Sequence, residues 1–581
     1  LMGFHEEFDR AADWAESHLD FNKNLNVNYF ETSIRHLGGL VSAFVLSSRP
    51  GLLGKANDLA MRLAPIFPSP QTSNQKLSMS DLNPGTGRLQ DWFDGAKRFL
   101  HQVFATSDFS GEYDFDLGDL AEDPSGHFTN DEKRAKKDHT ALPLSDVNLQ
   151  TGKTNDLAGY LSLAETYVPL EWKALALLTS NCSYAVHQDQ VLHVLNESAG
   201  LETRGYAAIL LKKNGYVHGM QDNRISLGSR GDSFYEYLLK DAIFLGAHAN
   251  PLTLSVWGAF RAKLRNLLVE VDMPRLARKQ QRKGMSKGKT MKTAQRRPQK
   301  VEGAKGAAGA QGGWFESSRD IPGKWVFLKE VTFKHTVPKM DHLICFLPGA
   351  LALDVFHHAV SRLNGTAVQP HHLDRDRAVE LTLAHKLMQS CVQMYFRTVT
   401  DLAPEITRFN GHGLEDDHGS MHNILRPETV ESLFVLWRTT KLQVYRNWGQ
   451  RLLSAFYRLK TSYGFASLHN VNQPSSKRDD MPSFFLAETL KYLFLLFSPD
   501  SVLPLDRFVL STEAHPVPMM RAMSSLGVEW PCQAGGLRAQ DAQAPQPEQS
   551  ESLPNGQTTE ELLEAFRILS QSLLSRVDQK K

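Results

Sequence analysis

Residues 29–44 read YFETSIRHLGGLVSAF, from Tyr29 to Phe44, with an acid and a threonine at the head of an apolar run. Ile34, Leu37, Leu40, Val41 and Phe44 recur at helical spacing. The phrase returns as Glu165-Thr166 in LSLAETYVPLEWKALALL, Glu428-Thr429 in LRPETVESLFVLWRTT and Glu488-Thr489 in SFFLAETLKYLFLLF. It is inverted once, as Thr512-Glu513 in STEAHP. A carboxylate at the mouth of an apolar helix is costly unless it is paired, bound to a ligand or left wet. Several of them, far apart in sequence, predict one acidic cavity assembled by many helices.

Around these phrases helical periodicity dominates. Helices are expected over 8–19 with Trp14 inward, 56–63, 234–245, 251–271, 347–363, 379–398, 427–440 and 442–461. Pro427 suits a first helical turn, where a missing N–H is no loss. Strand signals are short, at 207–211 with Val217 and at 325–333. Many helices joined by short hairpins predict an all-α toroid with hairpins at one end.

Two segments, about 69–138 and 275–313, look inserted. The first is rich in Ser, Asp, Gly and Pro, with a helical pattern at 89–104. The second holds twelve basic residues against one acid, Glu302, between 275 and 305, a pattern expected to be disordered. No aromatics interleave those charges, which favours a solvated loop over an anion-binding patch. The barrel is read as ending at 516. Beyond it comes a Gln/Pro/Ala-rich tail, 517–581, with an amphipathic stretch at 560–577.

Length alone would allow roughly three to four domains. Lys and Arg number 65 against 64 Asp and Glu, so no net field steers the chain to nucleic acid. No charge-free apolar run reaches the ~18 residues that a membrane span needs. Four cysteines, Cys182, Cys345, Cys391 and Cys532, form no CxxC pair, which disfavours a structural zinc site. Asn-x-Ser/Thr triplets at Asn181, Asn196 and Asn364 tilt slightly toward a secretory compartment.

Each chemical signal has a bland counterpart. Glu31 and Arg35, four apart, are either a surface ion pair or a desolvated acid tuned by arginine. Gly38-Gly39 lets another backbone come close. Glu428 and Glu431 share a helix face, as a repelling functional pair or as carboxylates favoured by the helix dipole. Phe484 and Glu488 have the spacing of an aromatic platform beside a hydrogen-bonding acid, or of a core Phe beside one. Asp232 could be a helix cap, with Arg230 a loop charge. His412, Asp416, Asp417, His418 and His422 match no zinc spacing and read better as a loop. Thr512 and Glu513 offer hard oxygen donors suited to calcium.

Taken together, these segments resemble the class I α-1,2-mannosidases, glycoside hydrolase family 47. The resemblance rests on FETSIRHLGGLVSAF, LSDVNLQTGK, SRGDSFYEYLLK, KMDHLICFLPGALAL, NILRPETVESLF, SFFLAETLKYLFLLFSPD and STEAHP, in the family's order. It implies an (α/α)7 barrel, a calcium ion at its floor and inverting removal of terminal α-1,2-mannose from high-mannose N-glycans. It implies Glu31 as the acid acting through a water, Glu428 as the general base and Asp232 as the third catalytic carboxylate. Thr512 would be the calcium ligand. Arg35, Glu165, His342, Arg426, Glu431, Phe484, Glu488 and Glu513 would form the sugar-binding and calcium-water shell. Cys345 and Cys391 would be paired, as fits an oxidising lumen. Arg230 and the Cys345-Phe346-Leu347-Pro348-Gly349 stretch resemble the endoplasmic-reticulum branch, which removes one mannose from the nine-mannose glycan.

Three departures stand out. The family's first helices, with an acidic site position, are missing, so a truncated N-terminus is expected. Ser511 stands where Asn is usual, and both insertions are atypical. The expected setting is the lumen of the endoplasmic reticulum or Golgi, anchored type II through the missing N-terminus, as a monomer. The competing reading is a non-catalytic mannose-binding factor of the same fold. The intact Glu31, Asp232, Glu428 and Thr512 favour the enzyme.

Overall fold

A computed structural model describes residues 2–67, 142–155, 160–212, 224–273, 323–332, 335–360, 368, 373–410, 413–417, 419–524 and 530–532. The expected insertions fall wholly outside these residues. So do the helical patterns at 89–104 and 560–577, Val217, Asn364, His412 and His418.

The longer helices are α1 (His5–His18), α2 (Gly38–Ser47), α3 (Pro50–Leu63), α4 (Pro169–Thr179), α5 (Ser183–Ala199) and α6 (Asp232–Leu245). They continue as α7 (Pro251–Lys263), α8 (Leu347–Val360), α9 (Arg375–Phe396), α10 (Glu428–Thr440), α11 (Gln443–Tyr457) and α12 (Leu490–Phe497). Pro50, Pro169 and Pro251 each open a helix, where no backbone donor is lost. Neighbours pack in sequence order: α2 on α3, α4 on α5, α6 on α7, α8 on α9, and α10 on both α11 and α12. A large hydrophobic core runs from Ala12 to Cys532, with a small second cluster at Val355, Ala359 and Val368. The large core includes Met519, Met520 and Met523, which lie beyond residue 516. The apolar stretch His342–Ala359 is long enough to cross a membrane, yet 72% of it is buried in this core.

Small antiparallel sheets join the helices. Lys339–Asp341 pairs with Ile406–Asn410, which pairs with Gly413–Asp416. That sheet delivers the chain to a 3-10 turn, His342–Phe346, and on into α8. A Cys345–Cys391 disulfide ties the turn to α9, as the resemblance implied. A second disulfide, Cys182–Cys532, was not anticipated and joins residues 350 apart.

Two expectations are corrected. Trp14 is 57% exposed, because α1 lies on the surface and buries only Ala12. Ala12 and Ala15 anchor it to the core, and Arg49 adds pairs with Asp13 and Glu16. The single helix expected at 251–271 stops at Lys263. After a 3-10 turn, Leu268–Met273 becomes a strand paired with Gly323–Leu328. Its Leu-Val-Glu-Val alternation suits a half-buried strand once a partner is present.

Two π-helical turns break the helices, at Thr32–Leu37 and Phe485–Thr489. Such turns cluster at functional sites because the extra residue re-aims side chains. Each lies next to, or contains, one of the Glu-Thr phrases.

Candidate active site

The recurring phrase has one structural meaning. In each helical copy the threonine is buried in the wall while the acid lines a shared cavity. Thr166 donates to the Leu163 carbonyl at 2.7 Å and Thr489 to the Leu425 carbonyl at 2.7 Å. The cavity has a volume of about 340 Å³. Eight of its lining residues are Asp or Glu and three are Arg, so its own charge favours a cation or a polar, hydroxyl-rich ligand.

One wall is built by Glu31 and Arg35. Arg35 Nε donates to Glu31 Oε2 at 2.7 Å, and its Nη1 donates to Glu513 and to Ser483 Oγ. Arg35 and Arg426 approach the Phe484 ring, at 5.9 and 5.7 Å from its centre. Phe484 is therefore a cavity-lining ring with two guanidiniums near it, not a core Phe.

A second wall comes from α10. Glu428 accepts a 3.1 Å bond from His342 Nδ1, while Arg426 Nη1 lies 4.0 Å from its other oxygen. Arg426 is held by Glu405, which the sequence reading missed because it sits 21 residues upstream. Asp232 opens α6, accepts from the Ser233 N–H at 3.0 Å, and is pushed up to about 7 by burial. Glu428 and Glu236 add to that rise.

The floor joins α6, α10 and the STEAHP hairpin. Thr512 Oγ1 donates to Glu236 Oε2 at 2.6 Å, and its N–H donates to Tyr237 Oη at 3.2 Å. Tyr237 in turn donates to Glu171 at 2.6 Å. Burial lifts Glu171 to about 8, so it holds a proton at neutral pH. Lys240 lies between Glu236 and Glu431. Burial lifts Glu431 to about 7 and raises Glu488 well above its ordinary value, with Glu513, Glu428, Glu431 and Glu236 adding to the latter. Glu236 and Lys240 were overlooked in the sequence, although Asp232, Glu236 and Lys240 stand four apart on one helix face.

The hairpin tip is strained. Ala514 has φ of 56° and Leu425, just before Arg426, has φ of 67°. Both are left-handed conformations that cost about 1–3 kcal/mol without glycine, and the surrounding packing must impose them. The unusual Ser511 fits here, because its Oγ accepts from the N–H groups of Glu513 and His515. Gly38 makes room for side chains rather than backbone: a Cβ there would lie 2.9 Å from His515 and 3.0 Å from Glu171.

Arg230 stands at the rim, exposed, with φ of 73°. Its carbonyl accepts from the Ala164 N–H at 2.9 Å, which fixes the loop beside Glu165. Burial raises Glu165, and Arg230 opposes that rise. Every residue expected at the site except His342 lines the cavity, and His342 touches it through Glu428. In the His/Asp loop, Asp417 pairs with Arg408 at 3.0 Å.

The sequence profile of glycosyl hydrolase family 47 matches residues 1–107, 125–300 and 314–519. The chain belongs to glycosyl hydrolase family 47. Among its relatives, the rat endoplasmic reticulum mannosyl-oligosaccharide 1,2-alpha-mannosidase is 32% identical over 89% of this chain and 60% of the rat protein. The human protein of that name is 30% identical over 89% of this chain and 57% of its own length. The Schizosaccharomyces pombe protein of the same name is 30% identical over 89% and 79%. The chain thus spans about three fifths of the length of these mammalian relatives. An alpha-1,2-mannosidase from Trichoderma reesei superposes with a TM-score of 0.60, at 20% identity, over 88% of this chain and 87% of that one. That likeness shows the fold, the family's (α/α)7 architecture.

Proposed function

We propose that this family 47 chain is an inverting exo-hydrolase of terminal α-1,2-linked mannose on high-mannose N-glycans. The supporting observation is the convergence of Glu31, Asp232 and Glu428 with Thr512 in one acidic cavity beside the Phe484 ring. Inversion needs an acid and a base on opposite sides of the scissile bond with room for a water. Glu31 and Glu428 come from different walls of the cavity. Glu31 gives a proton to the leaving oxygen through a water, and Glu428 takes one from the attacking water. Asp232 is held up at about 7 by its burial, with Glu428 and Glu236 adding to the rise. The remaining binding roles follow the resemblance: Arg35, Glu165, Arg426, Phe484, Glu488 and Glu513 hold the sugar.

The floor fits calcium. Among the described residues no three His, Cys, Asp or Glu side chains could hold an ion on their own. The donors present are the Thr512 hydroxyl and carbonyl, with Glu236, Glu431, Glu488 and Glu513 available to accept from its water shell. These are hard oxygens, crowded enough to raise one another's carboxyls, and a divalent cation relieves that crowding. When bound, calcium would supply the charge that gathers two sugar hydroxyls. The test is nine-mannose glycan with and without chelator, read by product mapping and by melting temperature. Cleavage should stop in chelator and the melting temperature should fall, as a ligand bound only to the native state stabilises it. Undiminished cleavage with calcium verified absent would sink the calcium assignment. Glycan bound without any cleavage would favour the lectin-like reading.

Arg230 supports a reticulum-type specificity. A rigid fork of donors at the rim selects which branch enters. Arg230→Leu should therefore broaden cleavage among branches while some α-1,2-mannose hydrolysis remains. An unchanged isomer pattern over a time course would remove that assignment. The relatives' names favour the secretory pathway, and the endoplasmic reticulum or Golgi lumen is the setting we infer, with type II anchoring.

A further inference from the structure

Tyr395 was not among the expected site residues, and it does not line the cavity. It is buried on α9, and its hydroxyl lies 2.6 Å from His342 Nε2. The other ring nitrogen, Nδ1, lies 3.1 Å from Glu428 Oε2. A carboxylate only accepts, so Nδ1 carries the proton in this bond. In a neutral imidazole Nε2 is then an acceptor, and the phenol must donate to it. The phenol is suited to that part, since burial, with Glu428 and Glu405 nearby, raises it far above its ordinary value and keeps its proton on oxygen. The Thr429 hydroxyl, 3.3 Å from Nε2, is the one other polar group in reach among the contacts described here.

We propose that Tyr395 is a positioning residue: its hydroxyl fixes His342 as the neutral Nδ1–H tautomer, which determines the oxygen of Glu428 that takes the proton. The inference rests on reading Glu428 as the general base. With Oε2 occupied by Nδ1–H, the proton from the attacking water goes to Oε1, and the water oxygen bonds to the sugar carbon as the glycosidic bond breaks. The fold holds the arrangement at two points. Cys345 and His342 stand three apart on the 3-10 turn, where such residues eclipse, and Cys391 and Tyr395 stand four apart on one face of α9. The Cys345–Cys391 disulfide and the His342–Tyr395 hydrogen bond are therefore parallel ties between the same two elements. The charged groups around the pair are Arg426, Glu405, Asp232, Glu431 and Glu488.

Two measurements test this. In folded wild-type protein labelled with nitrogen-15 histidine, the His342 signals, assigned by their loss in His342→Asn, should be those of a neutral ring protonated on Nδ1. In Tyr395→Phe, Nε2 loses its 2.6 Å donor and the Thr429 hydroxyl can accept from an Nε2–H, so against the pull of Glu428 on Nδ1–H the ring gains an Nε2–H population whose Nδ1 lone pair faces Glu428. That disfavours the carboxylate, so the acid limb of the kcat/KM profile should move to higher pH. kcat should fall at least about 10-fold, as for other outer partners that orient a histidine, with KM little changed. Wild-type protein that hydrolyses mannose with His342 protonated on Nε2 would overturn the inference, even if the variant does not fold. An active Tyr395→Phe protein with an unmoved acid limb would overturn it too. A wild-type protein that leaves mannose untouched would instead sink the functional reading.

Discussion

Glu428→Gln is expected to lower kcat by at least ~100-fold, the low end for losing a general base, and Glu31→Gln to do the same for the acid. Glutamine keeps the shape of each side chain. At position 428 its carbonyl oxygen can still accept from His342 Nδ1–H, and at position 31 it can still accept from Arg35 Nε. What it lacks is a site that binds and releases a proton in the working pH range. Melting curves and circular dichroism should match the wild type, so a fall in rate would report chemistry rather than folding. Near-normal turnover by either folded variant would show that its residue carries no proton in the reaction.

Lys240→Met should destabilise the fold by about 3–5 kcal/mol, the range for breaking a buried ion pair from one side. Lys240 donates to Glu236 and, at 2.9 Å, to Glu431, all within the protein floor. Methionine fills the space and leaves two buried carboxylates without a counter-charge. The pH dependence has a definite sign. Lys240 itself is raised, so its contribution is complete throughout the acid and neutral range and is lost only at strongly basic pH. Glu431 is raised to about 7, so the folded state holds a proton that the unfolded chain releases near its ordinary value of 4.5. Stability then falls as pH rises between those two values. Without Lys240 the rise of Glu431 is larger, so the variant's deficit should be greatest at pH 7.5 and shrink toward pH 5. Urea midpoints at the two pH values measure it. A deficit under about 1 kcal/mol at pH 7.5 would mean the triad behaves like a surface pair.

Much of the site was legible because its acids advertise themselves. Glu31, Glu165, Glu428 and Glu488 each precede a threonine on an apolar helix, a pairing that makes no sense for a solvated face. The structure gives the reason: the hydroxyls of Thr166, Thr429 and Thr489 are satisfied by a backbone carbonyl or a neighbouring ring, so they can turn into the wall as the acid turns inward. Partners brought in by tertiary contact were not legible. Glu405 reaches Arg426, and Tyr395 reaches His342 from 53 residues away, and neither has a local pattern. Lys240 could have been found, since a lysine in phase with Asp232 and Glu236 on a buried helix face has to be paired. Trp14 failed for the opposite reason. Its helix has the right periodicity, but periodicity cannot say whether a face has a partner to pack against.

The disulfide between Cys182 and Cys532 sets a timetable for the chain as it is made. At about 5–20 residues per second, the 350 residues between them take roughly 20 to 70 s to emerge. Cys345 and Cys391, 46 residues apart, are both available within roughly 2 to 9 s of each other. Throughout that longer interval Cys182 is a thiol whose proper mate does not yet exist, while two other thiols pass by it. Prompt closure of Cys345–Cys391 takes those competitors out of circulation. The bond that ties the His342 turn to α9 thus also acts as a guard, leaving Cys182 in waiting until the last segment of the body arrives.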